Sequence, residues 1–273
     1  MTTDLDDYGD RYANLRFVRA DGVLEITLHT DDGSLVFSEG AHAEFGRAFA
    51  DVAADPENRV VILTGTGPSF CSSFDFGSFS DERARRPSTG DYWTNVRSDG
   101  TRMLMSLLDI EVPVIGAVNG PALAHSELVV MSDVVLAAEH ATFQDATHFI
   151  AGIPPGDGMH TVWSMLLGPN RGRYFLMSGQ TLDAAQALAL GVVAEVLPAA
   201  QLLDRARELA VRWAGLPNLT LRGTRRLLTA ELRRLLTEQL HVGLTYEALS
   251  VLARTDAAAP VRRIVDLHGL SAF

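Results

Sequence analysis

The chain has 273 residues, of which 47% are hydrophobic, and its 34 acidic and 23 basic residues give a formal net charge of −11 at pH 7. This apolar content supports a large buried core and excludes a disordered or fibrous protein. The negative charge disfavours nucleic acid and anionic membranes as partners, and it favours a small substrate that is uncharged or a thioester.

Cysteine usage and the distribution of apolar residues predict a soluble cytoplasmic protein. The single cysteine, Cys71, cannot form an internal disulfide, which favours a reducing compartment. No apolar run approaches the roughly 20 residues that span a bilayer. The first residues are acidic and lack the basic and apolar regions of a signal peptide.

The first two thirds of the chain predict alternating strands and helices. Alternating apolar residues around Asp21-Gly22 predict a β-hairpin over residues 16–28. Helical spacing over 41–54 is followed by a short apolar run at 59–64 that is typical of a buried strand. Further along, the sequence predicts a helix at 92–108, a strand at 112–118, a short helix at 126–131 and a strand at 133–138. Such alternation indicates an α/β fold.

The last part of the chain predicts helices only. Their expected ranges are 199–214, 219–240 and 243–254. We therefore predict a core domain over residues 1–198 and a helical C-terminal region over residues 199–273 that makes oligomer contacts.

Two charged segments are interpreted as surface features. The arginine pairs Arg225-Arg226 and Arg233-Arg234 predict a solvated helix face or an oligomer contact, because the acidic chain disfavours a nucleic-acid site. The stretch 81–90 predicts an exposed loop.

Two histidines and an aspartate stand out in a segment rich in glycine turns. His125, His148 and Asp157 lie within 33 residues of one another. A histidine oriented by a carboxylate can activate water near neutral pH, which points to hydrolytic chemistry. The alternative for each histidine is a structural role in the core, and Asp157, which stands between two glycines, also fits an Asx-turn.

Four motifs in order carry a resemblance to a known family. They are LTGTGPSFCSSFDF at 63–76, PVIGAVNGPAL at 113–123, MSDVVLAA at 131–138 and GIPPG at 152–156. Together they resemble the crotonase (enoyl-CoA hydratase) superfamily, and with residues 179–193 the similarity covers nearly the whole chain. The resemblance implies a spiral of ββα units, C-terminal helices that pack homotrimers or dimers of trimers, and an oxyanion hole of two backbone N–H groups.

The motif positions suggest donors for that oxyanion hole. The first donor implied by the resemblance is the Phe74 N–H, in a glycine-rich loop that can turn amides toward developing negative charge. The second donor should follow Asn119-Gly120, where this chain is one residue shorter than hydratases. The Ala124 N–H and the His125 side chain are the two alternatives.

Departures from the hydratase pattern suggest a subclass. Hydratases use two glutamates, one at the position of Glu127 and one at the position of His148. The histidine instead resembles the β-diketone hydrolases of the 6-oxocamphor hydrolase type, in which Phe37 is replaced by tryptophan. That resemblance implies four catalytic residues, His148, Asp157, His125 and Glu247, and three substrate-binding residues, Phe37, His42 and Phe79. Glu127 is interpreted as a structural carboxylate at a helix start.

The resulting hypothesis is a hydrolase that cleaves a carbon–carbon bond of a cyclic or bicyclic β-diketone by a retro-Claisen route, giving a keto acid. In this hypothesis His148 deprotonates water, and Asp157 and Glu247 hold the base. No cofactor is expected, and no metal is expected because no compact ligand spacing such as His-Glu-x-x-His is present. Cys71 is interpreted as a small buried residue.

Two other functions remain open at this point. An enoyl-CoA hydratase or isomerase acting on an acyl-CoA thioester would use Glu127 as acid or base. Because the chain has no lysine, its contact with the CoA phosphates would have to be an arginine. A non-catalytic or RNA-associated relative is disfavoured by the strong acidity and by the pairing of His148 with Asp157.

Overall fold

The computed structural model describes residues 4–86 and 88–253, and it confirms the α/β architecture. The strands are β1 Leu15–Ala20, β2 Val23–Leu28, β3 Val36–Phe37, β4 Val60–Gly65, β5 Ser73–Phe74, β6 Val114–Val118, β7 Val134–Ala138, β8 Thr142–Phe143, β9 Leu182–Asp183 and β10 Glu195–Leu197. The helices are α1 Leu5–Tyr8, α2 Glu39–Ala54, α3 Phe76–Arg85, α4 Thr89–Asp109, α5 Glu127–Val130, α6 Met159–Leu167, α7 Pro169–Ser178, α8 Ala184–Ala189, α9 Ala199–Ala214 and α10 Asn218–Ala253, with one 3₁₀ turn at Phe149–Ala151.

A six-stranded sheet in the order β1-β2-β4-β6-β7-β10 forms the centre of the fold. Strands β1 and β2 form the expected antiparallel hairpin, and its turn residues Asp21 and Gly22 both have positive φ angles. The later neighbours, from β2–β4 to β7–β10, pair in parallel. All residues of β4 and β6 are buried, as the continuous apolar runs predict.

Helix α9 packs against this sheet. Its buried residues Leu202, Ala206 and Ala210 recur every four positions and therefore lie on one helix face. They form one buried hydrophobic cluster with the sheet residues Val60, Ile62, Ile115 and Leu136. The predicted helix at 199–214 is confirmed, and among the described residues no strand follows β10. Residues 254–273 of the predicted helical region lie outside the described residues.

Helix α10 corrects one expectation from the sequence. It is a single helix of 36 residues, not two helices separated near residue 241. Gly243 lies inside it, where a Cβ would stand 2.2 Å from the Gly156 carbonyl oxygen. The glycine is thus used for close approach to the loop 152–158 and not for ending the helix. No helix in the described part of the chain combines the length and apolarity needed to cross a bilayer.

The charged stretch at 81–90 is largely exposed where it is described, as predicted, but residues 81–85 form the end of α3 and not a loop. The Asp75 side chain caps this helix by accepting the Ser78 N–H at 3.1 Å. Glu82 pairs with Arg86 one turn later at 2.6 Å. The cap and the ion pair stabilise this segment as a helix although it is largely exposed.

Arg225 was wrongly interpreted as a surface residue. It is 2% exposed, and its guanidinium pairs with Asp133 at 2.7 Å and donates to the Leu108 carbonyl at 3.1 Å. The neighbouring Arg226 is 74% exposed in its side chain, as expected for a solvated helix face. Arg225 therefore joins α10 to the end of α4. The adjacent arginines in the sequence could not show which member of the pair is buried.

Candidate active site

A cavity of about 190 Å³ brings the candidate catalytic residues together from distant parts of the chain. His125, His148, Asp157 and Glu247 all line it, and so do His42 and Phe79. The remaining wall is mainly apolar and includes Phe74, Phe76, Val96, Ile153, Leu244 and Val251. The cavity is a concave apolar site with a few converging polar groups, the usual character of a small-molecule site.

His148 is held by carboxylates on both ring nitrogens. Its Nδ1 lies 2.7 Å from Asp145 Oδ1, and its Nε2 lies 3.3 Å from Asp157 Oδ2. The shorter contact assigns the Nδ1 proton to the bond with Asp145, so Nε2 is the nitrogen that can exchange a proton on the cavity side. Asp145 was not among the residues predicted from the sequence, although it stands three residues before His148.

The charges around His148 decide its protonation. Burial alone would lower the pKa of His148, but Asp145 and then Asp157 outweigh burial and raise that pKa well above its ordinary value. Burial would likewise raise the pKa of Asp157, but the neighbouring His148 and then His125 hold it below its usual range. Both shifts favour the ion pair of a protonated His148 with an ionised Asp157.

One oxygen of Asp157 lies close to both candidate histidines, His125 and His148. Asp157 Oδ2 is 3.3 Å from His148 Nε2 and 3.4 Å from His125 Nδ1. The other oxygen accepts the Met159 N–H at 3.4 Å at the start of α6. The bond to Met159 fits the Asx-turn alternative, while the two imidazole contacts fit a catalytic role.

His125 has its own carboxylate partner, Glu127. The two groups are buried, and His125 Nδ1 lies 2.8 Å from Glu127 Oε1. Burial opposes a charged imidazole, but Glu127 outweighs it and raises the pKa of His125. Glu127 does begin helix α5, as expected, but the interpretation of it as a purely structural carboxylate is incomplete because it also holds His125.

The three substrate-binding candidates occupy different places. His42 and Phe79 line the cavity, whereas Phe37 is fully buried and does not line it. The Phe37 ring instead packs on the His125 imidazole, with ring centroids 3.9 Å apart and a tilt of 31°. Phe37 thus supports His125 from behind. Burial first and His125 second lower the pKa of His42 to about 3, so His42 is neutral.

Glu247 reaches the cavity from α10. Burial and the neighbouring Asp157 raise its pKa to about 8. Its Oε2 is buried and has no hydrogen-bond partner among the described residues. The family resemblance therefore predicted correctly that Glu247 lies at the cavity.

The two backbone N–H groups expected for the oxyanion hole, those of Phe74 and Ala124, differ in their availability to a ligand. Phe37 pairs in register with Phe74, and the Phe37 carbonyl accepts the Asp75 N–H at 2.8 Å. Because N–H directions alternate along a strand, the Phe74 N–H points away from β3. The Ala124 N–H instead donates to the Cys71 carbonyl at 3.2 Å, so the structure does not leave it free for a ligand.

The fold and the site define an enzyme of the crotonase type, in which a histidine and carboxylates occupy the polar part of the cavity. The model of the enoyl-CoA hydratase/isomerase family matches residues 19–252. The chain belongs to that family.

Known proteins similar to this chain include both thioester and diketone enzymes. It is 34% identical over 199 residues to carnitinyl-CoA dehydratase of Salmonella enteritidis, covering 72% of this chain and 73% of the relative. It is 32% identical over 190 residues to a probable peroxisomal enoyl-CoA hydratase of Arabidopsis thaliana, covering 69% and 68%.

Solved structures add a second group of relatives. A β-diketone hydrolase from the cyanobacterium Anabaena sp., bound to (S)-3-oxocyclohexyl acetic acid, is 46% identical with a TM-score of 0.85, covering 89% of this chain and 96% of that one. An enoyl-CoA hydratase/isomerase from Mycobacterium paratuberculosis is 25% identical with a TM-score of 0.80, covering 94% and 99%.

Proposed function

We propose that this chain is a hydrolase that cleaves a carbon–carbon bond of a cyclic or bicyclic β-diketone by a retro-Claisen route, giving a keto acid. The observation that carries the proposal is His148, which faces the cavity between Asp145 and Asp157 where a hydratase would have a glutamate. The 46% identity to the Anabaena β-diketone hydrolase supports the same chemistry. The keto acid bound to that relative has the kind of product structure that we expect.

The reaction begins with His148 as general base. In its neutral form, Nε2 accepts a proton from water while Asp145 stabilises the resulting imidazolium through Nδ1. The hydroxide forms a bond to one carbonyl carbon and produces a tetrahedral oxyanion. Collapse of this adduct breaks the bond to the carbon between the carbonyls, and the electron pair becomes an enolate delocalised onto the second carbonyl.

The second half of the reaction requires a proton donor. We assign this role to His125, because Glu127 and Asp157 favour its charged form and it lines the same cavity. Proton transfer to the enolate carbon completes the addition of one water molecule across the broken bond. The Phe74 N–H, which points away from β3, stabilises the oxyanion or enolate.

Acid release tests this proposal directly. Wild type, His148→Ala and His241→Ala are compared in a pH-stat assay with a symmetric bicyclic 1,3-diketone. We expect His148→Ala to lower kcat by about 10²–10⁴, the usual contribution of a general base. The control residue His241 is exposed on α10 and should tolerate alanine. Near wild-type turnover in folded His148→Ala would rule out His148 as the base.

The second candidate function is hydration of an acyl-CoA thioester, which the carnitinyl-CoA dehydratase relatives favour. Arg83 lines the cavity and makes no ion pair among the described residues, so it is available to a phosphate. This candidate ranks second because Glu127, which would act as acid or base, is fully buried against His125 and does not line the cavity.

We also propose that the chain assembles as a homotrimer or a dimer of trimers. Large apolar side chains on α10 are exposed in the single chain, including Leu219 at 85% and Leu227 at 81%. Such side chains commonly mark protein contacts. Light scattering coupled to size-exclusion chromatography would test this, and a monomer at micromolar concentration would contradict it.

A further inference from the structure

Three side chains in the cavity have the arrangement of a metal site. Ligand atoms of His148, Asp157 and Glu247 all lie within 4.8 Å of one another. The distance from His148 Nε2 to Asp157 Oδ2 is 3.3 Å. Tetrahedral zinc with bonds of about 2.0–2.1 Å would separate its ligand atoms by about 3.4 Å. All three residues line the cavity, which provides an entry path and an open fourth position.

The surroundings of His148 also match such a site. A histidine that binds a metal usually donates its other ring N–H to a carboxylate, which fixes the ring and its tautomer. Asp145 accepts from His148 Nδ1 at 2.7 Å and leaves Nε2 directed to Asp157. The ligand ring is therefore oriented before any ion arrives.

Unsatisfied carboxylate oxygens provide independent support. Glu247 Oε2 has no hydrogen-bond partner among the described residues and no contact with solvent. Glu127 Oε2 and Asp145 Oδ2 are also buried and have no hydrogen-bond partner among the described residues. Four carboxylates, including Asp157, thus surround two imidazoles. A buried excess of anionic oxygen is costly unless a proton or a cation compensates it.

We propose that His148, Asp157 and Glu247 bind one divalent transition-metal ion of the zinc type. An imidazole nitrogen with two carboxylates favours zinc over magnesium, which prefers all-oxygen ligands. The ion occupies His148 Nε2, which the base needs for proton transfer. Metal binding therefore inhibits the enzyme. The inhibitory part rests on the proposed function, whereas the binding part does not.

Binding is measured on the full chain after treatment with a chelator and its removal. Isothermal titration with Zn²⁺ should give one ion per chain with a Kd on the order of 1 µM or tighter. Co²⁺ should produce the visible absorption of a low-symmetry site with mixed nitrogen and oxygen ligands. Glu247→Gln should weaken Zn²⁺ binding at least about 10-fold, and His148→Ala should abolish it. Glu238→Gln, on the exposed face of α10, is the matched control.

Inhibition of the enzyme is measured separately from metal binding. Zn²⁺ should inhibit diketone cleavage by the wild type, and EDTA should restore it. Absence of one-to-one Zn²⁺ binding, or binding that survives in both Glu247→Gln and His148→Ala, overturns the site. Binding without inhibition overturns the inhibitory role. One-to-one binding lost in both variants supports the site even when no diketone is cleaved, in which case only the proposed function fails. Circular dichroism verifies that the variants are folded.

Discussion

Gly156 and Gly243 approach each other so closely that neither position has room for a side chain. A Cβ on Gly156 would lie 2.1 Å from the Gly243 carbonyl oxygen, and a Cβ on Gly243 would lie 2.2 Å from the Gly156 carbonyl oxygen. Asp157 follows the first glycine, and Glu247 lies one helical turn after the second. This backbone contact therefore brings the loop carboxylate and the α10 carboxylate into one cavity.

Replacing Gly243 should separate these carboxylates. Gly243→Ala would force α10 away from the loop, costing about 1–3 kcal/mol of folding free energy. A displacement near 1 Å would lower kcat by roughly 10²-fold. The control is Gly223→Ala in the same helix, where an added Cβ meets nothing within 4 Å. Gly223→Ala should be neutral or stabilising by about 0.5–1 kcal/mol. Equal Tm and kcat for the two variants would show that the close contact is not required.

Asp145 should control the pH dependence of turnover. His148 accepts a proton only when neutral, and its pKa is raised, so kcat should increase with pH through a pKa above about 6.5. Asp145→Asn removes a carboxylate that raises this pKa. The rise of kcat with pH should therefore occur at lower pH in this variant. The plateau of kcat should also fall by about 10²–10⁴, because His148 Nδ1 loses its charged partner.

The control for the pH profile is Asp10→Asn, since Asp10 is exposed and far along the chain from His148. A profile measured with a neutral diketone avoids titration of the substrate. If kcat rises over the same pH range in Asp145→Asn as in the wild type, a group other than His148 controls the profile.

Cys71 should have no role in catalysis. Burial first and Glu127 second raise the pKa of Cys71 to about 12, so the reactive thiolate is absent at neutral pH. Cys71→Ala should keep most of the wild-type kcat, and iodoacetamide should label the native protein slowly but the denatured protein rapidly. Fast native labelling that parallels inactivation would instead indicate a thiol mechanism.

Arg83 should distinguish a diketone substrate from a CoA thioester. A neutral diketone carries no phosphate, so Arg83→Gln should change its KM by less than about twofold, the change expected when no interaction is removed. Free CoA should not inhibit cleavage. Arg85→Gln is the control, because Arg85 lies on the same helix, pairs with Glu82 and does not line the cavity. Strong inhibition by CoA that disappears in Arg83→Gln would favour the thioester.

Much of the fold followed from periodicity. The hairpin over β1 and β2 and the buried strand β4 have local patterns that determine their structure. The errors fell where tertiary contacts decide. In the sequence, Gly243 reads as the start of a separate helix, but in the structure it lies inside α10, where it contacts Gly156. Arg225 reads as a surface charge, but Asp133 and the end of α4 bury it.

For the candidate site, the family resemblance identified His148, Asp157, His125 and Glu247, which the structure brings into one cavity. It did not identify Asp145, whose only local signal is its position three residues before His148. It also could not show that Phe37 lies behind His125. The proposed zinc ligands come from a turn, a loop and a late helix, so they have no compact spacing in the sequence that could have predicted them.

One paired measurement distinguishes a β-diketone substrate from a CoA thioester. The same enzyme stock is given a symmetric bicyclic 1,3-diketone, with acid release followed, and crotonyl-CoA, with thioester absorbance followed. We predict acid release that depends on His148 and no hydration of crotonyl-CoA above background. Efficient hydration with no acid release would rule out the β-diketone hydrolase and assign the chain to thioester chemistry.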